Sequence, residues 1–282
     1  MTESSDQKFT VDNWCYPPQN RQSFQRIQSL FPTARISRGS GPVTKFNYNL
    51  KDILNITYNG SDGSKRRVQQ MFDEGYTDAL VVVKDNSILC EHYSNGMSAD
   101  SVHLLNSVTK SFVGMLAGIF IAKGLIRETD LVTQHIPELV CTAFSESTIR
   151  HLLDMTAAPK YGEDYADATA DFWKEASVVG WRPALKTIES TKTLLAYAKT
   201  LTESEQSNGE KYHYRTVFTN VLGMVLERAG SGALHDQLQN RIWQKLGPER
   251  DAAIVVDSSG FPYVGAGMNA CALDLARFGQ MI

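Results

Sequence analysis

The sequence has few of the features that mark metal sites or polyanionic partners. Its four cysteines are scattered, with no Cys-x-x-Cys pair and no closely spaced histidines, which argues against a structural zinc site. The net charge is −3, so no surplus of lysine and arginine points to nucleic acid or to an anionic membrane. These absences leave a small molecule as the expected partner. The cysteines are Cys15, Cys90, Cys141 and Cys271.

Signals for export and for membrane insertion are not visible either. Residues 1–8 contain neither a basic n-region nor an apolar core. The longest apolar stretch, 112–122, has only about half of the residues that a membrane-spanning helix needs. Together with the scattered thiols, this predicts a cytoplasmic protein in a reducing compartment.

The composition is that of a globular chain with room for a substantial core. Of 282 residues, 42% are hydrophobic and 21% are charged, which suits one large domain or two lobes. Turn signals and weak periodicity predict an irregular N-terminal arm over 1–75. We expect an incomplete α/β lobe from 76–130 and 250–282, with C-terminal strands missing, and a mainly helical lobe over 131–249. A structureless loop over 157–183 would form a pocket wall.

Local patterns place several elements along the chain. Alternating residues over 79–83 and 87–93 predict a β-hairpin, and the apolar run after Ser107 predicts a helix that ends at Gly124. No internal repeat or low-complexity tract is present. Capping and periodicity predict further helices over 22–30, 147–155, 191–201, 217–229, 233–246 and from 272, with a strand over 252–256.

The segment Asn106-Ser107-Val108-Thr109-Lys110 opens the most apolar helix of the chain. Because Ser107 and Lys110 lie three residues apart, they share one helix face, and the lysine can reach the serine hydroxyl. A helix N-terminus favours an alkoxide and the amine can take its proton, so the pair can form a nucleophile. A capping serine followed by a surface lysine has the same spacing. We read the identical pair Ser5 and Lys8, in the polar tail, as inert.

Further motifs extend over nearly the whole chain. With Ser107 and Lys110, they make the sequence resemble the β-lactamase-related serine hydrolases, in the class C-like branch that contains 6-aminohexanoate-dimer hydrolases, esterases and D-amino-acid peptidases. The resemblance implies an α/β (α+β) β-lactamase/transpeptidase-like fold, with an antiparallel sheet flanked by helices and a mainly helical lobe. The motifs include Val11-Asp12-Asn13-Trp14, Pro17-Pro18-Gln19-Asn20-Arg21, His151-Leu152-Leu153-Asp154-Met155-Thr156, Glu163-Asp164-Tyr165, Gly180-Trp181-Arg182 and Asp274-Leu275-Ala276-Arg277.

The same resemblance implies a tyrosine that shuttles protons between serine and leaving group. Tyr93, in Tyr93-Ser94-Asn95, matches the family's letters better, but it precedes the serine and ends a strand, so we reject it. Tyr214 follows the serine and stands just before a helix, as the family arrangement requires, and Tyr212 is the fallback. The alternative, a tyrosine that only packs its ring at a helix entrance, stays open.

These residues imply a reaction and a pocket. Ser107 would attack a carbonyl, Tyr214 and Lys110 would accept and return the proton, and water would release the acyl-enzyme, with no metal or organic cofactor. The predicted pocket loop resembles the substrate-covering segment of the dimer hydrolases. The resemblance implies that the Tyr165 hydroxyl contacts the amide or ester being cleaved and that Trp181 forms an apolar wall of the pocket. Tyr165 can equally be a loop anchor. The resemblance also places Gly265 in the substrate pocket.

One family motif is not found before the last printed residue. The third box, Lys-Thr-Gly or His-x-Gly on a C-terminal strand, supplies the second N–H of the oxyanion hole, and neither triplet occurs up to Ile282. Two hypotheses follow. The first is a serine hydrolase of small amides or esters, with β-lactams also compatible. The second is a catalytically inactive truncated fragment or a ligand-binding pseudoenzyme. The sequence does not indicate an oligomeric state.

Overall fold

The computed structural model describes residues 9–183 and 191–282, so the pair Ser5 and Lys8 lies outside the described residues. The strands are β1 (Thr33–Ile36), β2 (Asn47–Tyr48), β3 (Thr57–Asn59), β4 (Lys65–Arg67), β5 (Ala79–Lys84), β6 (Ser87–Tyr93), β7 (Val102–Leu104), β8 (Ala252–Val255) and β9 (Met268–Cys271). The helices are α1 (Asn20–Ser23), α2 (Ile27–Leu30), α3 (Gln70–Glu74), α4 (Thr109–Ala122), α5 (Val132–His135), α6 (Ile149–Leu153), α7 (Asp171–Val178), α8 (Leu194–Ala198), α9 (Thr216–Ala229), α10 (Leu234–Arg241) and α11 (Ala272–Met281).

A four-stranded antiparallel sheet lies beside the predicted nucleophile. Its strand order is β1-β8-β9-β7, and β7 pairs with β9 so that Leu104 faces Asn269. Every residue of β8 and β9 is buried, because the sheet is covered on both faces, and such strands lose the alternation that a half-exposed strand shows. The chain leaves β7 and passes directly into the segment that carries Ser107.

The N-terminal region contributes a strand that the sequence did not reveal. β1 pairs antiparallel with β8 over the whole of Thr33–Ile36 and forms an outer strand of the four-stranded sheet. It is short and mixes polar and apolar residues without a clear period, so local patterns could not identify it. The predicted helix over 22–30 is present as two short helices, α1 and α2. The proposed division into an arm and two lobes stays a prediction.

The predicted hairpin is present as β5 and β6, which form a three-stranded sheet with β2. Its two-residue turn places Asp85 and Asn86 at φ values of 50° and 55°. Two successive residues at positive φ are what a type I′ hairpin turn requires, and asparagine and aspartate tolerate that conformation better than most residues. The turn chemistry therefore agrees with the strand pattern on either side.

The hydrophobic core is centred on α4 and α9. Helix α4 buries Phe112, Val113, Leu116 and Phe120 on one side, and Phe112 stacks on Phe278 of α11 with ring centroids 3.8 Å apart. Helix α9 is buried over most of its length, which fixes the segment just before it, including Tyr214, against α4. Within the described ranges no helix is long and apolar enough to cross a bilayer.

The prediction of a structureless loop over 157–183 is wrong, because the loop contains α7. Phe172 and Ala176 of this helix are buried at a spacing of four residues, with Val179 buried just beyond its end. Asp171 stands in its first turn, where a negative charge favours the helix dipole. The helix has eight residues amid polar and aromatic neighbours, and its signal was too short to read from the sequence.

Asp274 of α11 anchors the C-terminal helix and provides a test of the fold. Its buried carboxylate accepts hydrogen bonds from the backbone N–H groups of Glu249 and Arg250, and pairs with Arg277 at 2.7 Å. We expect Asp274→Asn to lower the free energy of unfolding by about 3 kcal/mol, because it leaves buried donors without an acceptor. Urea denaturation measures this change.

The matched control is the exposed ion pair between Lys160 and Glu203, at 2.8 Å. Glu203→Gln should leave the urea midpoint unchanged, since water already solvates both charges. Equal destabilisation by both substitutions would contradict the assignment of a structural role to Asp274.

Candidate active site

Ser107 stands at the junction between the four-stranded sheet and α4, within a 3-10 turn formed by Asn106–Val108. Asn106 adopts φ 45°, a left-handed conformation that turns the chain sharply out of β7. The sheet fixes the turn from below, because Leu105 N–H donates to the Met268 carbonyl at 2.8 Å and Met268 N–H donates to Thr109 Oγ1 at 3.1 Å. The serine is therefore held on rigid elements at the entrance of a long helix.

Lys110 is one turn further along and has a complete set of acceptors. Its Nζ donates to Ser107 Oγ at 3.1 Å, to Thr216 Oγ1 at 3.1 Å and to the Gly265 carbonyl at 2.6 Å. An ammonium has three N–H donors, so every donor is used. The same Nζ lies 5.0 Å from the ring centroid of Tyr214.

Tyr214 completes the cluster from the opposite side of the cleft. Its hydroxyl donates to Ser107 Oγ at 2.8 Å. Of the competing tyrosines, Tyr93 on β6 bonds Glu91 instead, and Tyr212 is 61% exposed. The structure thus brings together Ser107, Lys110 and Tyr214. Tyr214 is the tyrosine that was chosen for its position after the serine, although Tyr93 matches the family motif better. The catalytic roles of Ser107, Lys110 and Tyr214 stay predictions.

Glu163 belongs to the same cluster, although from the sequence it was named only within a family motif and was given no role. Its carboxylate accepts hydrogen bonds from Thr216 N–H at 2.5 Å, Thr216 Oγ1 at 2.6 Å and Tyr165 OH at 2.8 Å. Thr216 Oγ1 in turn accepts from Lys110, so Glu163 connects the pocket loop to the lysine. A carboxylate in a polar loop gives no local signal of such a role.

A second, buried layer supports the lysine from behind. Gly265 N–H donates to Asn220 Oδ1 at 2.8 Å, and Asn220 Nδ2 donates to Glu175 at 2.8 Å. Tyr161 OH also donates to Glu175, at 2.6 Å. Burial raises the pKa of Glu175 to about 7, and the two hydrogen bonds oppose that rise. Gly265 carries no side chain because a Cβ there would meet Thr216 Cγ2 at 2.3 Å.

The pocket beside Ser107 has a volume of about 370 Å³ and is mostly aromatic. Trp181 is buried and forms one wall, in edge-to-face contact with Trp14 at 5.1 Å. Tyr165 also lines the pocket, but its hydroxyl is bonded to Glu163. Gly265 is not a lining residue and instead binds Lys110. The lining residues are Trp14, Cys15, Tyr16, Phe24, Asn106, Ser107, Tyr165, Phe172, Trp173, Trp181 and Ala266.

Metal ligands are not assembled anywhere in the described part of the chain. Over 9–183 and 191–282, no group of three or more His, Cys, Asp or Glu side chains is placed to hold a metal ion. The four cysteines are free thiols.

Fold and site geometry define a β-lactamase/transpeptidase-like protein with a helix-borne serine. Residues 68–282 match the Beta-lactamase family, and the chain belongs to that family. A 6-aminohexanoate-dimer hydrolase of Paenarthrobacter ureafaciens is 32% identical to this chain over an alignment of 282 positions, which covers 97% of this chain and 67% of that protein. The resemblance found in the sequence is thereby confirmed.

Solved structures show the same fold. A Bacillus anthracis protein provisionally assigned as a 6-aminohexanoate-dimer hydrolase superposes with a TM-score of 0.90 at 24% identity, over 99% of this chain and 73% of that one. A D-stereospecific amidohydrolase from Streptomyces superposes with a TM-score of 0.51 at 18% identity, over 68% of this chain and 63% of that one. The predicted fold class is confirmed.

The buried carboxyl group of Glu175 should make stability depend on pH. Its pKa is raised from the model-compound value of 4.5 to about 7, so the folded state holds the proton over a range where the unfolded state has lost it. Stability should therefore fall as pH rises from 4.5 to 7, by about 3 kcal/mol relative to Glu175→Gln, which mimics the protonated acid. Urea titrations of both proteins between pH 4.5 and 8 measure the difference. Parallel curves would contradict it.

The close approach at Gly265 provides a second test. Gly265→Ala should push Thr216 away from Lys110, because the added Cβ has no room, and overpacking of this kind costs about 1–3 kcal/mol. Gly118→Ala is the control, since a Cβ there meets no atom within 4 Å and replaces glycine in a helix interior. Thermal unfolding should show a lower midpoint for the first variant and an equal or higher one for the second. The opposite order would show that Gly265 is not spatially constrained.

Proposed function

We propose that this chain is a serine hydrolase that cleaves small amides or esters through an acyl-enzyme. One observation carries the proposal: Ser107 Oγ accepts hydrogen bonds from Tyr214 OH at 2.8 Å and from Lys110 Nζ at 3.1 Å, at the edge of a pocket large enough for a small substrate. A serine that only capped a helix would not need two proton-transfer groups on its hydroxyl.

The geometry supports a defined proton path. For this path Tyr214 first passes its own proton to solvent and acts as a phenolate, which the Lys110 ammonium stabilises. Ser107 Oγ then attacks the substrate carbonyl while its proton moves to the Tyr214 oxygen. Tyr214 then gives the proton to the leaving nitrogen or oxygen as the carbonyl carbon–heteroatom bond breaks. In the second half, water gives a proton to Tyr214 and attacks the acyl carbon. The bond between that carbon and Ser107 Oγ then breaks, and Tyr214 returns the proton to Ser107 Oγ. No step in this path requires a cofactor.

The relatives support hydrolysis of amide or ester bonds more than a particular substrate. The Paenarthrobacter relative is a 6-aminohexanoate-dimer hydrolase, and the Streptomyces neighbour is an amidohydrolase. Both names describe the hydrolysis of an amide, and an ester needs less activation than an amide at the same site. A cytoplasmic location stays a prediction from the sequence.

Labelling with a fluorophosphonate probe and hydrolysis of p-nitrophenyl butyrate test the proposal. Wild type should react with the probe, and Ser107→Ala should not, since the probe needs an activated serine. Lys110→Met and Tyr214→Phe should each lower kcat/KM by about 100-fold or more, as expected for loss of a proton-transfer group.

Tyr212→Phe is the matched control for Tyr214→Phe, because Tyr212 lies two residues away and is 61% exposed. It should retain wild-type labelling and turnover. If folded wild-type protein neither labels nor turns over the ester, the hydrolase proposal fails and the ligand-binding alternative is favoured.

A further inference from the structure

We propose that the pocket beside Ser107 selects substrates whose pocket-bound group is uncharged and apolar or aromatic, and that Arg182 is the residue that excludes cationic groups. This inference rests on the serine hydrolase function proposed above. It concerns the choice of substrate and not the chemistry at the serine.

The walls of the pocket offer apolar contact and no counter-charge. Seven of its eleven lining residues are aromatic, and none of the eleven is an aspartate, glutamate, lysine or arginine. An aryl or alkyl group that enters the pocket loses little favourable hydration and gains contact area with the aromatic rings. A group that ends in an ammonium gives up its hydration there and meets no carboxylate among the lining residues.

Aromatic walls alone do not exclude a cation, because ring faces attract ammonium groups. In this pocket, however, two of the rings already contact a cation, the guanidinium of Arg182. The Arg182 guanidinium lies 4.0 Å from the ring centroid of Trp173 and 4.9 Å from that of Tyr16, and it donates to the Tyr16 hydroxyl. A second cation near these rings would meet the fixed positive charge behind them.

Over residues 9–183 and 191–282, no carboxylate forms an ion pair with Arg182. The Lys110 ammonium adds a second positive charge at the serine end of the same pocket. The Glu163 carboxylate lies on the Lys110 side of the site, where it accepts hydrogen bonds from Thr216 and Tyr165. The influence of Arg182 extends to the lining: burial raises the pKa of the Cys15 thiol, and the Arg182 charge opposes that rise.

The test compares acyl groups of equal length and different charge on one leaving group. Hexanoyl, 6-aminohexanoyl and adipoyl p-nitroanilides supply a neutral, a cationic and an anionic end. We expect wild type to prefer hexanoyl to 6-aminohexanoyl by about tenfold or more in kcat/KM. In a second series the acyl group is always acetyl and the leaving amine is either neutral or cationic. This series tests charge preference if the leaving group, and not the acyl group, occupies the pocket.

Substitutions at Arg182 separate charge from shape. Arg182→Gln should reduce the preference for neutral over cationic groups by about tenfold and lower the rate with the adipoyl substrate, whereas Arg182→Lys should keep both values near wild type. The inference is overturned if wild type shows no charge preference in either series, or if Arg182→Gln leaves the preference unchanged.

A binding measurement separates this inference from the proposed function. Three tryptophans, Trp14, Trp173 and Trp181, line the pocket, so fluorescence quenching of Ser107→Ala reports occupancy by hexanamide or 6-aminohexanamide. Tighter binding of hexanamide supports the inference even if wild type fails to label with a fluorophosphonate. Equal binding of the two amides, with normal labelling, overturns the inference and leaves the hydrolase proposal standing.

Discussion

The anchoring of the Lys110 ammonium is the constraint on which the rest of the site depends. Its three donors reach Ser107 at the start of α4, Thr216 at the start of α9 and the carbonyl of Gly265 before β9. An ammonium that is partly removed from water is stabilised by such a full set of acceptors. The entrances of the two helices and the loop before β9 must therefore meet at one point, and each supplies one acceptor there. The nucleophile Ser107 Oγ is itself one of these acceptors, so the contacts that anchor the lysine also fix the position of the serine.

Local patterns predicted the parts of the site that lie within single elements. Ser107 and Lys110 are three residues apart on one helix, and the apolar residues of α4 and α9 repeat at helical spacing. The supporting shell could not be predicted, because Glu163 meets Thr216 across 53 residues and Glu175 meets Asn220 across 45. Such pairings depend on the finished fold. For the same reason the sequence did not predict β1, because its partner strand lies more than 200 residues away. The hairpin β5–β6 was predicted, because its strands are adjacent in the chain.

The N-terminal segment is part of the pocket and not only a cover for the body. Trp14 is almost fully buried, donates its indole N–H to the Trp181 carbonyl at 3.0 Å, and lines the cavity together with Cys15 and Tyr16. Further along, the same segment enters the sheet as β1, which begins at Thr33. Because one stretch of chain supplies both a sheet strand and a pocket wall, the shape of the pocket is coupled to the integrity of the sheet. The turn signals and weak periodicity that predicted an irregular arm contain no sign of that coupling.

The hydrogen bonds around Glu175 explain how a titrating group can lie so close to the lysine. Asn220 is oriented by Gly265, whose N–H it accepts, so its amide must always donate towards Glu175. Either form of the carboxyl group can accept that bond, since a protonated acid keeps a free carbonyl oxygen. The Tyr161 hydroxyl can rotate and accept from the acid when the proton is present. The proton is thus accommodated on the tyrosine side. The hydrogen bond from Gly265 N–H to Asn220 Oδ1, which positions the residue whose carbonyl binds Lys110, is the same in both states.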